Sequence, residues 1–136
     1  MLKSLTGRSV WLQLVALNVA AFLITLPFAE TAFKYLAFVP ANALAMPWTI
    51  VTSMFLHSGA LHLFFNMWAL FIFGPVLERV IGGKRLLALY LVAGIIGNVG
   101  FSLFYPSATA GVGASGAIYG LVGALAVLLP VLLVFG

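Results

Sequence analysis

Polar side chains along this chain gather in short breaks between long, continuously apolar runs. The first run extends from Val10 to Phe28, the second from Ala60 to Leu77, the third from Leu86 to Phe104 and the fourth from Ala114 to Leu129. A membrane-crossing β-strand would alternate apolar and polar positions, and these runs do not. Each is close to the roughly 20 apolar residues that one helix needs to cross a bilayer. The pattern therefore predicts an all-α polytopic membrane protein, a single domain over 1–136. Its four transmembrane helices are expected at 10–28, 60–77, 86–104 and 114–129.

The breaks differ in character. Residues 30–57 hold Glu30, Lys34, Pro40, Asn42 and Pro47, yet Ala, Phe and Leu dominate. A loop this apolar is expected to lie in the membrane interface, a depth that also suits the indole of Trp48. Glu78, Arg79, Lys84 and Arg85 flank Gly82-Gly83 in a short polar turn. Tyr105 to Val112 is an uncharged loop with one proline. After Pro130 the chain is apolar from Val131 to Gly136, which reads as the start of a fifth span and hence as a piece of a longer protein.

Composition sharpens this picture. Residues are 65% hydrophobic and 6% charged, against about 25% charged in a soluble domain. Lys3 and Arg8 precede the first run as they would in a signal peptide, but its length and the lack of a small-x-small cleavage site favour a retained span. Lys3 and Arg8 fall on the same side of the membrane as Arg79, Lys84 and Arg85 if the helices alternate in direction. The positive-inside rule puts that side, and the N-terminus, in the cytoplasm. The net charge of +4 is thus topological, and the scattered cations make no nucleic-acid patch.

The chemistry available is narrow. There is no cysteine and no aspartate; the acids are Glu30 and Glu78, and the histidines His57 and His62. Disulfides and thiol chemistry are excluded, and no metal site or cofactor is expected. His62 and Asn66 are four residues apart, on one face of the second span. Ser115, between Gly113 and Gly116, opens the fourth. Both spans descend from the same side, so the three polar groups lie at similar depth. Polar groups in lipid are costly and face a bundle interior. Ser115 can then be a nucleophile in a polar cavity or a small residue at a helix crossing. The Gly116-x-x-x-Gly120 pattern and the glycines at 94, 97 and 100 also favour close helix contact. A transporter reading is weak, because His62 is the only ionisable group deep in a span.

The series His57-x4-His62-x3-Asn66, followed by Gly113-Ala-Ser115-Gly116-x2-Tyr119, resembles the rhomboid intramembrane serine proteases. Trp48 and the Glu78-Arg79, Gly82-Gly83-Lys84 turn are also similar to that family. The resemblance covers about Trp48 to Leu129. It implies cleavage of transmembrane-helix substrates near the outer membrane face by a Ser–His dyad. Ser115 would be the nucleophile, with His62, Asn66 and the Ser115 backbone N–H as oxyanion donors. Gly113, Gly116 and Tyr119 would support them. In the family an arginine often follows the tryptophan, whereas Thr49 stands here. The family's general base is a histidine on a sixth helix. The fifth and sixth helices have no counterpart in these residues, so the chain is expected to be inactive alone. Neither His57 nor His62 is expected to replace the base. The alternative is a non-catalytic relative that binds transmembrane partners, such as a derlin, although such proteins usually lose the serine.

Overall fold

The computed structural model describes residues 9–136, and its only regular secondary structure there is helical. The helices are α1 (Val10–Thr25), α2 (Ala29–Leu36), α3 (Thr49–Thr52), α4 (Ala60–Ile81), α5 (Gly83–Phe104) and α6 (Ser115–Phe135). Four stretches are long and apolar enough to cross a membrane: Val10–Leu36, Ala60–Ile81, Gly83–Phe104 and Ser115–Phe135. The all-α, four-span architecture read from the sequence is present. Lys3 and Arg8, half of the charge argument, lie outside the described residues.

Two helix ends lie beyond the expected 77 and 129, and only the second was expected at a proline. Helix α4 runs through Pro75 to Ile81, and α6 runs through Pro130 to Phe135. Proline removes one intrahelical donor, whereas ending a helix strands up to four carbonyls. In apolar surroundings without water the single lost bond is the smaller cost. The segment expected as a loop over 30–57 is also largely ordered. It contains α2, a 3-10 turn at Pro40–Asn42, α3, and a second 3-10 turn at Ser53–Phe55. Its anchors are local polar bonds. Trp48 Nε1 donates to the Tyr35 carbonyl at 2.8 Å, and Thr52 Oγ1 donates to the Leu36 carbonyl at 2.8 Å. Thr49, at the family's arginine position, is buried and donates to the Met46 carbonyl at 2.7 Å.

Direction alternates through the bundle. The Glu78 carboxylate, near the end of α4, accepts the backbone N–H groups of Val10 and Trp11 at 3.0 and 2.9 Å. The start of α1 therefore sits beside the turn that holds Arg79, Lys84 and Arg85. The start of α4, the end of α5 and the start of α6 share the opposite end. Between the ends, Leu14, Leu70, Leu77, Leu86, Tyr90 and Leu121 form a closed core. Within it Asn18 Nδ2 donates to the Leu14 carbonyl at 2.8 Å and to the Tyr90 hydroxyl at 3.1 Å, tying α1 to α5. Large apolar side chains such as Leu61, Phe71, Ile96 and Leu133 point outward and are exposed. That outward apolar surface is what a lipid-embedded bundle presents.

The α5–α6 pair is the most extensive helix contact, and it is built on absent side chains. A Cβ on Gly97 would lie 3.2 Å from the Gly116 Cα, and one on Gly120 would lie 2.2 Å from the Ala93 Cβ. Gly100 and Gly123, which share the same spacing, face nothing within 4 Å. Within the α5–α6 contact the glycine stripes thus act at 97, 116 and 120, while Gly94 makes room for the Met54 side chain.

Candidate active site

Ser115 is the first residue of α6, with Ala114 as its cap. The opening N–H groups of a helix lack intrahelical acceptors, and no side chain caps them here. They carry the positive end of the helix dipole. The approach to Ser115 is fastened by backbone bonds. Phe38 and Gly111 exchange bonds of 3.1 and 2.7 Å, and the Gly113 N–H donates to the Ser53 carbonyl at 2.9 Å.

Gly113 is a position where glycine is required. Its φ is +114°, a region that L side chains rarely adopt. A Cβ there would also lie 2.7 Å from both Cε1 and Nε2 of His62. The bare backbone lets the imidazole of α4 reach the loop that enters α6.

His62 and Asn66 stand on successive turns of α4. His62 Nδ1 lies 3.2 Å from the Ser58 backbone nitrogen and 3.1 Å from the Ser58 Oγ. Asn66 is buried, and its Nδ2 donates to the His62 carbonyl at 2.9 Å. That amide has a second hydrogen still available. His62, Asn66 and Ser115 line one cavity of about 410 Å³ between α4 and α6. Ser115 also lines a second, larger hollow of about 880 Å³ between α5 and α6, with Gly97, Gly116 and Gly120. Tyr119 borders both and is 77% exposed.

His57 does not join the cavity. It lies in the segment between Phe55 and α4, is 4% exposed, and packs edge-to-face on His62 at 5.0 Å. Neither ring nitrogen makes a hydrogen bond of good geometry among the described residues, and only the Phe55 backbone acts on the ring as a weaker polar neighbour. Burial, with His62 nearby, holds its pKa down at about 4, so His57 is neutral at ordinary pH.

Three polar residues near the site carry structure that sequence reasoning did not single out. Asn98 on α5 donates to the Ile50 carbonyl at 2.7 Å and to the Ser53 Oγ at 3.0 Å. It thereby holds the segment whose Ser53 carbonyl fixes Gly113. Ser53 itself is buried. Ser58 holds His62. An asparagine in an apolar run is the signal that marked Asn98; nothing local marked the other two. Among the described residues no three His, Cys, Asp or Glu side chains group as metal ligands.

A family model described as the Rhomboid domain matches residues 44–133, which includes every residue of the cavity. This chain belongs to the rhomboid family. It is 47% identical to YdcA of Bacillus subtilis over 76 residues, 56% of this chain and 38% of YdcA. It is 35% identical to the rhomboid protease AarA of Providencia stuartii over 144 aligned positions, 89% of this chain and 51% of AarA. It is also 35% identical over 78 residues to Inactive RHOMBOID-like protein 8 of Arabidopsis thaliana, 57% of this chain and 22% of that protein. The chain thus spans about half the length of these relatives or less. The rhomboid family holds intramembrane proteases and inactive members alike, and the helical bundle and apolar surface seen here fit an integral multi-pass membrane protein.

Proposed function

We propose that this chain carries the nucleophile and oxyanion donors of an intramembrane serine endopeptidase that cleaves transmembrane-helix substrates. One observation carries the reading: Ser115, His62 and Asn66 line a single cavity. Attack by the Ser115 Oγ on a peptide carbonyl would develop negative charge on its oxygen. Donors aimed at that charge in a water-poor site are the largest single source of rate enhancement in such chemistry. The Ser115 N–H, the His62 ring and the free hydrogen of the Asn66 amide are those donors. The unshared N–H groups at the start of α6 add to the same field.

A serine hydroxyl needs a base to take its proton. The reading assigns that base to a histidine outside these 136 residues, as the family resemblance implies, and expects this segment alone to be inactive. Glycines 113 and 116 act as supports, the first by admitting His62 and the second by admitting α5. Tyr119, one turn beyond Ser115, is assigned to pack on that base, as the family resemblance implies. The basic turn at Arg79–Arg85 is placed toward the cytoplasm, which puts the cavity near the outer face.

The test is cleavage of a reporter transmembrane substrate in proteoliposomes by the full-length gene product, its Ser115→Ala variant, and this segment. Cleavage by the full-length protein that Ser115→Ala abolishes supports the reading. Cleavage by this segment would overturn the assignment of the base. The inactive relative favours a second reading, a binder of transmembrane partners. Capture of a client helix, unchanged by Ser115→Ala and without cleavage by any version, would establish it.

A further inference from the structure

We infer that the backbone N–H of Ser58 fixes the tautomer of His62, so that the Nε2 of His62 is a hydrogen-bond donor in the resting protein. The deciding contact is made by a backbone amide. The Ser58 N–H lies 3.2 Å from His62 Nδ1 in hydrogen-bond geometry. An amide N–H only donates, so Nδ1 has to offer its lone pair. A neutral imidazole has one donor and one acceptor nitrogen. With Nδ1 as acceptor, the proton is on Nε2.

The Ser58 hydroxyl, 3.1 Å from the same nitrogen, does not decide the matter, because a hydroxyl can donate or accept. It serves the tautomer that the amide selects. The opposite tautomer, and equally the imidazolium, would set an Nδ1 hydrogen against the amide hydrogen. Each would cost the Ser58 amide its protein acceptor and leave that N–H to solvent, since the bond lies at an exposed position. Ser58 thus discriminates against two of the three protonation forms of His62 by geometry.

The consequence falls on the reactive side of the ring. Nε2 faces the Gly113 backbone, where the space of a missing Cβ begins 2.7 Å away. An Nε2–H there lies beside Gly113, two residues before Ser115, where the proposed oxyanion would form. An Nε2 that already holds its proton has no lone pair with which to deprotonate Ser115. His62 is by this account a donor and not a base. That functional consequence rests on the protease reading above; the tautomer does not.

The experiment is nitrogen-15 NMR of the histidine side chains in this chain, reconstituted in detergent micelles at pH 7.5. His62 is assigned by the signals lost in His62→Leu. The expected result is a protonated Nε2 and an unprotonated Nδ1, in roughly fivefold to tenfold excess, the ratio that one hydrogen bond of ordinary strength sets. The Ser58 amide should exchange with solvent slowly, and at least about fivefold faster in His62→Leu, where it has no acceptor. Ser58→Ala, which keeps the amide, should keep the tautomer. An unprotonated Nε2, an even mixture, or Ser58 exchange unchanged in His62→Leu overturns the inference. The two claims separate cleanly. Cleavage by the full-length protein with an unprotonated Nε2 sinks the tautomer and leaves the protease. A protonated Nε2 with no cleavage does the reverse.

Discussion

Replacing Gly120 by alanine should separate α5 from α6, and the size of the effect follows from one distance. The new Cβ would lie 2.2 Å from the Ala93 Cβ and 3.6 Å from the Ala93 Cα. Two carbons settle at about 3.5–4.0 Å, so the helices lack roughly 1.3–1.8 Å of clearance. Neither methyl has a rotamer with which to evade the other. The backbones must move, and overpacking of this kind costs about 1–3 kcal/mol. Gly123→Ala is the matched control, since nothing lies within 4 Å of its Cβ position. Both substitutions gain the same helix propensity, about 0.5–1 kcal/mol. Their difference therefore isolates the packing loss, with Gly120→Ala less stable by about 1–3 kcal/mol.

Ser115 is five residues from Gly120, about 7.5 Å along the axis, so the same displacement should disturb the 410 Å³ cavity. SDS titration of the protein in a mild detergent, followed by far-ultraviolet circular dichroism, measures the stabilities. Ala93→Gly removes the opposing methyl and should restore most of the loss when combined with Gly120→Ala. Equal stability of the two alanine variants, or no rescue by Ala93→Gly, would refute the close-contact argument.

Three further outcomes are expected. Glu78→Gln keeps one acceptor for the two N–H groups of Val10 and Trp11 and removes the charge beside the α1 dipole; unfolding should become easier by about 1–3 kcal/mol, and an unchanged midpoint would contradict the cap. Asn98→Leu removes both bonds to the Ile50–Ser53 segment, so limited proteolysis there should quicken by roughly fivefold or more, whereas unaltered cutting would show that the tether carries no strain. Stability should fall as pH drops, because His57 stays neutral in the fold down to about 4 while the unfolded chain takes up a proton near 6.5; the loss accrues between those values and is complete below about pH 4. The full shift corresponds to at most about 3 kcal/mol. His57→Gln should flatten that part of the pH profile, and a slope equal to the parent's would refute the assignment.

The spans were legible because lipid leaves a helix few choices. A continuous apolar run must satisfy its backbone internally, so composition and length sufficed for α4, α5 and α6. The end of α6 was not legible at Pro130, where the rule for water-exposed helices misleads, and α4 also outran its expected end at 77. That His62, Asn66 and Ser115 share a cavity was legible by depth, because they start from the same end of the bundle. What depth cannot convey is rotation. Asn66 and Asn98 look equivalent in sequence, each a lone amide in an apolar helix. In the fold the first faces the Ser115 cavity, and the second reaches the Ile50 and Ser53 oxygens. Gly120 and Gly123 also share a spacing pattern, yet only Gly120 meets a neighbour. Which member of each pair matters is set by the turn of α5 and α6 about their axes. That turn is fixed by the contacts at Gly97, Gly116 and Gly120, so the residues that lack side chains decide which side chains face the site.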